Sequence, residues 1–211
     1  MRALETITLE DYWQKSGNSL LIDARSPGEY AHAHIPGAYN IPLLDDDQRS
    51  LIGTIYKSQG KQKAILEGFR LAGPDFHRKV GKVLQALDSA DHSGTIVYCW
   101  RGGIRSEIIQ WMLQLSDIPC KKITDGYKAY RRSVLDLFTK EFDIRVLGGK
   151  TGSGKTTLLT EMAKKGEQVI DLEKFANHKG SAFGGLGKSG QPSNGMFENL
   201  IYEALRKFDS K

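Results

Sequence analysis

Two short segments of this 211-residue chain combine residue types whose spacing can do chemistry. The first is Cys99-Trp100-Arg101-Gly102-Gly103-Ile104-Arg105-Ser106. It sets a cysteine after the apolar run Thr95-Ile96-Val97-Tyr98 and ahead of Ile108, Ile109, Met112 and Leu115, which recur close to helical spacing. Cys99 is therefore expected at a strand end, facing a helix N-terminus. Gly102 and Gly103 let the backbone fold back with successive N–H groups turned inward. With Arg101, Arg105 and Ser106 they form an anion nest around the sulfur. Such surroundings favour the thiolate, and a thiolate is a nucleophile. Either arginine could instead belong to a structural or solvated ion pair.

The second segment, Gly149-Lys150-Thr151-Gly152-Ser153-Gly154-Lys155-Thr156, satisfies G-x-x-x-x-G-K-[ST]. It follows an apolar run, Phe142 to Leu147, expected as a strand, and precedes a helical pattern from Thr157 to Lys165. Gly149, Gly152, Ser153 and Gly154 can offer backbone amides to phosphate or diphosphate oxygens. Lys155 supplies a point charge, and the Thr156 hydroxyl could hold a magnesium ion. No metal site is assigned beyond that.

The elements that must position these segments alternate. Thr8 to Asp11 opens a short helix, Ser19 to Asp23 is a strand, and Pro27-Gly28 turns into a helical turn. A loop and short strand follow within His34 to Pro42. A helix over Phe76 to Leu87, the cysteine strand, its helix, a strand at Lys121 to Ile123 and a helix from Tyr127 to about Lys140 complete the first unit. This order predicts an α/β domain with a parallel sheet and reactive groups at the carboxyl ends of strands. The expected division is residues 1–140 and 141–211, the second being only the N-terminal part of a P-loop α/β domain. Val169 to Glu173 suggests its second strand and Met196 to Phe208 a helix, but no further strand bears a metal-orienting acid. Below about 80 residues such a core is rarely self-sufficient. Asn177 to Gly190, glycine-rich and basic, reads as a linker or a ligand-closing loop.

Composition sets bounds on partners. The net charge is +5, which permits RNA without demanding it. No apolar run reaches the roughly 20 residues that span a bilayer. Met1-Arg2-Ala3-Leu4-Glu5 lacks the pattern of a signal peptide, so a cytoplasmic setting is expected. The two cysteines make no disulfide framework, and Cys120 reads as a small buried hydrophobe. His32 and His34 read as turn residues, and His178 as a solvated loop residue. Trp100 reads as a base-stacking platform or as packing. Phe69, Phe76, Tyr127 and Tyr130 read as core and interdomain packing.

The stretches Asp23-Ala24-Arg25-Ser26-Pro27-Gly28-Glu29-Tyr30 and His34-Ile35-Pro36-Gly37-Ala38, with the Cys99 loop, resemble a rhodanese domain. The spacing from Cys99 to Arg105, C-x5-R, is similar to that of rhodanese-like phosphatases and arsenate reductases, one residue longer than in the usual sulfurtransferase loop. A phosphatase or sulfurtransferase fused to a P-loop domain is therefore the alternative reading. The whole chain resembles the bacterial tRNA 2-selenouridine synthase family. The resemblance also rests on Gly53 to Gly60, Gly126-Tyr127-Lys128-Ala129, the P-loop, Asp171-Leu172-Glu173 and His178 to Gly184. It implies a rhodanese-like domain followed by the start of a P-loop NTPase-like domain. It further implies S-geranylation of wobble 2-thiouridine from geranyl diphosphate, then exchange of the geranylthio group for selenium from selenophosphate. The substrates so implied are tRNAs of the Lys, Glu and Gln type, with no tightly bound cofactor and a monomeric enzyme. Diphosphate suits the P-loop. Selenophosphate suits the Cys99 nest, with Cys99 expected to carry selenium covalently.

Overall fold

The computed structural model describes residues 4–15, 17–89, 92–150, 152–178 and 190–208. The chain divides into two units, Met1–Arg132 and Ser133–Lys211. In the first unit, short apolar runs form β1 (Thr6–Ile7), β2 (Leu20–Asp23), β3 (Tyr39–Asn40), β4 (Thr95–Tyr98) and β5 (Cys120–Ile123). They pair in parallel in the order β1-β5-β4-β2-β3. Every residue of β2 and β4 is buried. Side chains alternate between faces along a strand, so both faces of the sheet centre are covered.

The helices of this unit are α1 (Leu9–Lys15), α2 (Pro27–His32), α3 (Asp46–Gln59), α4 (Lys61–Ala72), α5 (Phe76–Asp88), α6 (Ile104–Leu115) and α7 (Gly126–Leu137). Ile22, Val97, Ile109 and Leu113 centre the core, and Cys99 belongs to it. The long helices α3 and α4 have no counterpart in the sequence reading. Asp45 begins α3 by accepting from Gln48 N at 2.8 Å while Gln48 Oε1 accepts from Asp45 N at 3.2 Å.

From β2 the chain moves outward to β3, and from β4 it moves the opposite way to β5. The winding thus reverses between β2 and β4, and a crevice opens at their carboxyl ends. Asp23 pairs in register with Tyr98, which sets Ala24-Arg25 and Cys99 side by side just beyond the ladder.

In the second unit the structure forms α8 (Lys155–Lys164), α9 (Leu172–Phe175) and α10 (Asn194–Leu205). Here two expectations fail: Phe142 to Leu147 is not a strand, and neither is Val169 to Glu173, whose last two residues begin α9. A parallel strand is held only by ladder partners on neighbouring strands, and among the described residues none pairs with these runs. Val146 is accordingly 88% exposed. Instead α10 meets the end of α7 that lies in this unit, from Ser133 onward. Tyr202 is buried, hydrogen-bonds Ser133, and has its phenol pushed up to about 12 by burial.

Candidate active site

Cys99 leaves β4 at the winding reversal, and the loop from Trp100 to Gly103 returns the chain into α6. Two glycines allow this path. Gly102 has φ +63°, and a Cβ there would sit 2.8 Å from the Ile123 carbonyl. Gly126 has φ +55°, and a Cβ there would sit 2.1 Å from the Cys99 carbonyl. The loop is pinned by the first amides of α7: Tyr127 N donates to Cys99 O at 2.8 Å and Lys128 N to Trp100 O at 2.9 Å. The Gly126-Tyr127-Lys128 stretch thus serves as the cradle of the cysteine loop, a role the sequence reading did not assign.

The carbonyls of Cys99 and Trp100 are thereby tied down. Ser106 N and Glu107 N donate to Gly103 O, each at 3.1 Å. Among the described residues the amides from Trp100 through Arg105 have no acceptor. These consecutive unpaired donors at the start of α6 are the set that the sequence assigns to an anion nest. Cys99 immediately precedes them, only 3% exposed, with Sγ 3.2 Å from Ser106 Oγ and 3.7 Å from Gly103 O. The fully buried Ser106 hydroxyl, also 2.9 Å from Gly103 O, can turn its proton to a thiolate.

The two nest arginines differ. Arg101 is exposed and makes no ion pair with a described residue, so its charge is available to a ligand. Arg105 is paired instead with Glu29, Nη1 to Oε2 at 2.5 Å, joining α6 to α2. Its guanidinium is therefore an anchor of the loop, the structural alternative that the spacing had left open. Glu29 also accepts from Ser26 N at 3.2 Å and Ser26 Oγ at 3.1 Å, and lies 3.8 Å from Arg49. Burial raises its carboxyl pKa, but the Arg105 hydrogen bond and charge outweigh that and hold it below the usual value. Sequence reasoning missed this hub, although Ser26-x-x-Glu29 is a readable capping box.

Beneath the crevice, Asp23 and Arg25 form a buried ion pair, Nη2 to Oδ2 at 2.6 Å, and Arg25 Nη2 also donates to Ala33 O at 2.8 Å. The Arg25 guanidinium lies 3.9 Å from the centre of the Tyr127 ring. This network ties the first resemblance motif to the cradle of the cysteine loop, so its role is architectural. Trp100 is 41% exposed and tilts against Tyr127 with ring centres 5.7 Å apart, combining packing with an open face. His34 stacks on Tyr30 at 3.8 Å and bonds Tyr30 O through Nδ1, in keeping with a turn residue. Cys120 is buried, and burial pushes its thiol up to about 12, which leaves it inert. Tyr127 and Tyr130 are buried as expected, but Phe69 is not: it is 49% exposed on α4.

In the second unit the described residues of the P-loop motif, Gly149, Lys150 and Gly152 to Thr156, follow a run that is not a strand, and Thr151 lies outside the described residues. Gly152 and Gly154 have φ +83° and +80°, and Ser153 N donates to Lys150 O at 3.2 Å. Lys155 opens α8 and its Nζ bonds the carbonyls of Gly149 at 2.9 Å and Lys150 at 3.1 Å, placing the charge across the loop mouth. Thr156 follows in the first turn of α8. Among the described residues no group of three or more His, Cys, Asp or Glu side chains is arranged to hold a metal. A magnesium ion there would be bound by the Thr156 hydroxyl together with oxygens of a bound phosphate. His178 is described, whereas Lys179 to Ser189 of the glycine-rich stretch lie outside the described residues. No helix among the described residues is long and apolar enough to cross a membrane.

A parallel sheet with a cysteine loop at its winding reversal defines the class: the chain belongs to the rhodanese-like domain family, whose model matches residues 8–133. Residues 142–211 match the model of the tRNA 2-selenouridine synthase AAA domain. The curated relatives carry that same name. The chain is 40% identical over 193 residues to the tRNA 2-selenouridine synthase of Nitrosomonas europaea, covering 90% of this chain and 49% of the relative. It is 40% identical over 197 residues to that of Sulfurovum sp., covering 91% and 52%. The chain thus spans about half the length of the curated relatives it matches. Among solved structures, the N-terminal domain of a Clostridium difficile 630 protein named for ATP/GTP binding aligns with TM-score 0.57 and 34% identity. That alignment covers 62% of this chain and 99% of that one.

Proposed function

We propose that this protein works in the conversion of wobble 2-thiouridine to 2-selenouridine in tRNA, in the cytoplasm. The observation that carries this reading is one chain that joins a cysteine in an open amide nest to a P-loop, over a span 40% identical to a tRNA 2-selenouridine synthase. The two anion sites suit two anionic substrates. At the P-loop, the amides of Gly152 to Gly154 and the Lys155 ammonium would take the diphosphate of geranyl diphosphate. The thiouridine sulfur attacks the allylic carbon, the C–O bond breaks, and Lys155 offsets the charge growing on the leaving diphosphate.

At the nest, the amides from Trp100 to Arg105 and the free Arg101 would take selenophosphate, with Ser106 steadying the Cys99 thiolate. In covalent capture an S–Se bond forms and the P–Se bond breaks, with the bonding pair left on phosphorus as phosphite. Delivery of selenide without capture leaves phosphate instead. Selenide then displaces the geranylthio group from C2 of the base as geranylthiolate; selenium captured on Cys99 becomes selenide when a thiol reductant attacks the Cys99 sulfur, which cleaves the S–Se bond and leaves Cys99 as a mixed disulfide.

The test is incubation of the chain with 2-thiouridine tRNA, geranyl diphosphate and selenophosphate, followed by nucleoside mass spectrometry. Geranylated but unselenated product from Cys99→Ala assigns one step to each loop, and absence of both products from the wild-type chain refutes the reading. Phosphorus NMR of the spent selenophosphate, with mass spectrometry for selenium on Cys99, decides between capture and delivery.

A further inference from the structure

The α3–α4 pair is the part of the first unit that neither the sheet nor the cysteine loop explains. It contains the Gly53 to Gly60 stretch, which forms the second half of α3 and the turn at Gly60, φ +85°. No residue of α3 is buried. Between Asp47 and Glu67 the chain carries Arg49, Lys57, Lys61 and Lys63 and no acid. The nearby charges are accounted for. Arg49 lies against Glu29, Asp46 accepts from the Gly28 amide, and Glu67 pairs with Arg70. Lys57, Lys61 and Lys63, which bracket the turn, are exposed and have no partner among the described residues. Two aromatic rings lie open on the same helices, Tyr56 at 58% and Phe69 at 49% exposure. Between the helices runs a groove of about 330 Å³ lined by Ile55, Gln59, Lys63, Leu66, Glu67 and Arg70, apolar in its middle and charged along one helix.

We propose that the α3–α4 pair is an RNA-docking surface, its lysines on phosphates and its open rings on unpaired bases. The inference rests on the reading of tRNA as substrate and adds the place where this chain holds it. Charge complementarity selects the occupant. Lysine is depleted in the desolvated centre of protein–protein interfaces, so a protein partner would leave three ammonium groups without counter-charge. A polyphosphate chain supplies that charge, and exposed aromatic rings stack on bases of any sequence.

The experiment titrates the full chain against transcribed tRNA by fluorescence anisotropy over a range of potassium chloride, and in parallel against vesicles of phosphatidylglycerol and phosphatidylcholine. The variant Lys57→Ala/Lys61→Ala/Lys63→Ala is expected to bind tRNA roughly 30- to 100-fold more weakly near 0.1 M salt. Its log–log salt slope should be shallower by about 2 to 3, because each lost phosphate contact removes about 0.7 to 0.9. The variants Tyr56→Ala and Phe69→Ala should each lose roughly fivefold or more in affinity with the slope unchanged. The triple arginine variant should retain wild-type binding, and unchanged thermal unfolding certifies the fold of each protein. Wild-type binding of tRNA together with an unaltered affinity and slope in the triple alanine variant overturns the surface alone. Failure of the wild type to bind tRNA overturns the substrate reading and the surface with it. Loss of vesicle binding with tRNA binding intact assigns the lysines to a lipid surface and also overturns the proposal.

Discussion

The Glu29–Arg105 pair is where the stability of the fold and the shape of the cysteine loop meet, and Glu29→Gln isolates it. The substitution keeps the side-chain volume and removes the charge that faces Arg105 and, at 3.8 Å, Arg49. Exposed ion pairs contribute at most about 1 kcal/mol, and breaking a buried one costs about 3–5 kcal/mol. Here the side chains of Arg105 and Glu29 are 22% and 18% exposed, between those limits and nearer the buried one. A loss of about 2 kcal/mol is expected, seen as a fall of roughly 5–10 °C in the unfolding temperature of the first unit. The sign with pH follows from the direction of the Glu29 shift. The folded-state pKa lies below the unfolded value of about 4.3, so the stabilisation is complete above that value and is lost as pH falls through the folded pKa. Wild type and Glu29→Gln should therefore differ fully at pH 7 and converge in strong acid. Circular dichroism melts over pH 3 to 8, with Arg105→Met and the double variant closing a thermodynamic cycle, read both effects. Additive single losses, with a coupling below about 0.3 kcal/mol, would show that the pair is incidental to the loop.

Other perturbations probe the same architecture. In Gly126→Ala the new Cβ would meet the Cys99 carbonyl at 2.1 Å in a left-handed conformation, so a loss of about 3 kcal/mol or more is expected in chemical denaturation. Ser106→Ala removes the hydroxyl beside Sγ; alkylation of Cys99 by iodoacetamide at neutral pH should slow roughly tenfold, and an unchanged rate would remove Ser106 from the site. Lys155→Ala should weaken pyrophosphate binding by about 1.5–3 kcal/mol in calorimetry, with no effect on Cys99 alkylation.

What could be read from sequence divides by the distance over which each feature closes. Part of the cysteine loop closes locally: Ser106 Oγ reaches Cys99 Sγ and Gly103 O within a few residues, and that turn into α6 was legible from the spacing. The P-loop is local in the same sense, because Lys155 finds its carbonyl partners at Gly149 and Lys150. Glu29 could be read as a helix cap from Ser26, but its main charge partner lies 76 residues away, and no spacing rule reaches that far. The cradle at Gly126 is likewise visible only once β5 lies beside β4 and brings the α7 amides under the Cys99 carbonyl. Helices α3 and α4 were missed for a different reason. The first buries too little to print a strong apolar period, since no residue of α3 is buried, whereas α4 does repeat apolar residues at Ala64, Ile65, Phe69 and Ala72 and that period was overlooked.

The expected strands of the second unit failed in the converse way. Their apolar runs are real, but a strand is a property of its ladder, and among the described residues Phe142 to Leu147 has no neighbour to pair with. The described residues of the P-loop motif hold their turn regardless, through the Lys150 carbonyl and the glycines at positive φ. The local shape of this loop and sheet formation are thus separable among the described residues. Lys155 should bind an anion at the start of α8 even where its strand is unformed, and the pyrophosphate titration measures that independence directly.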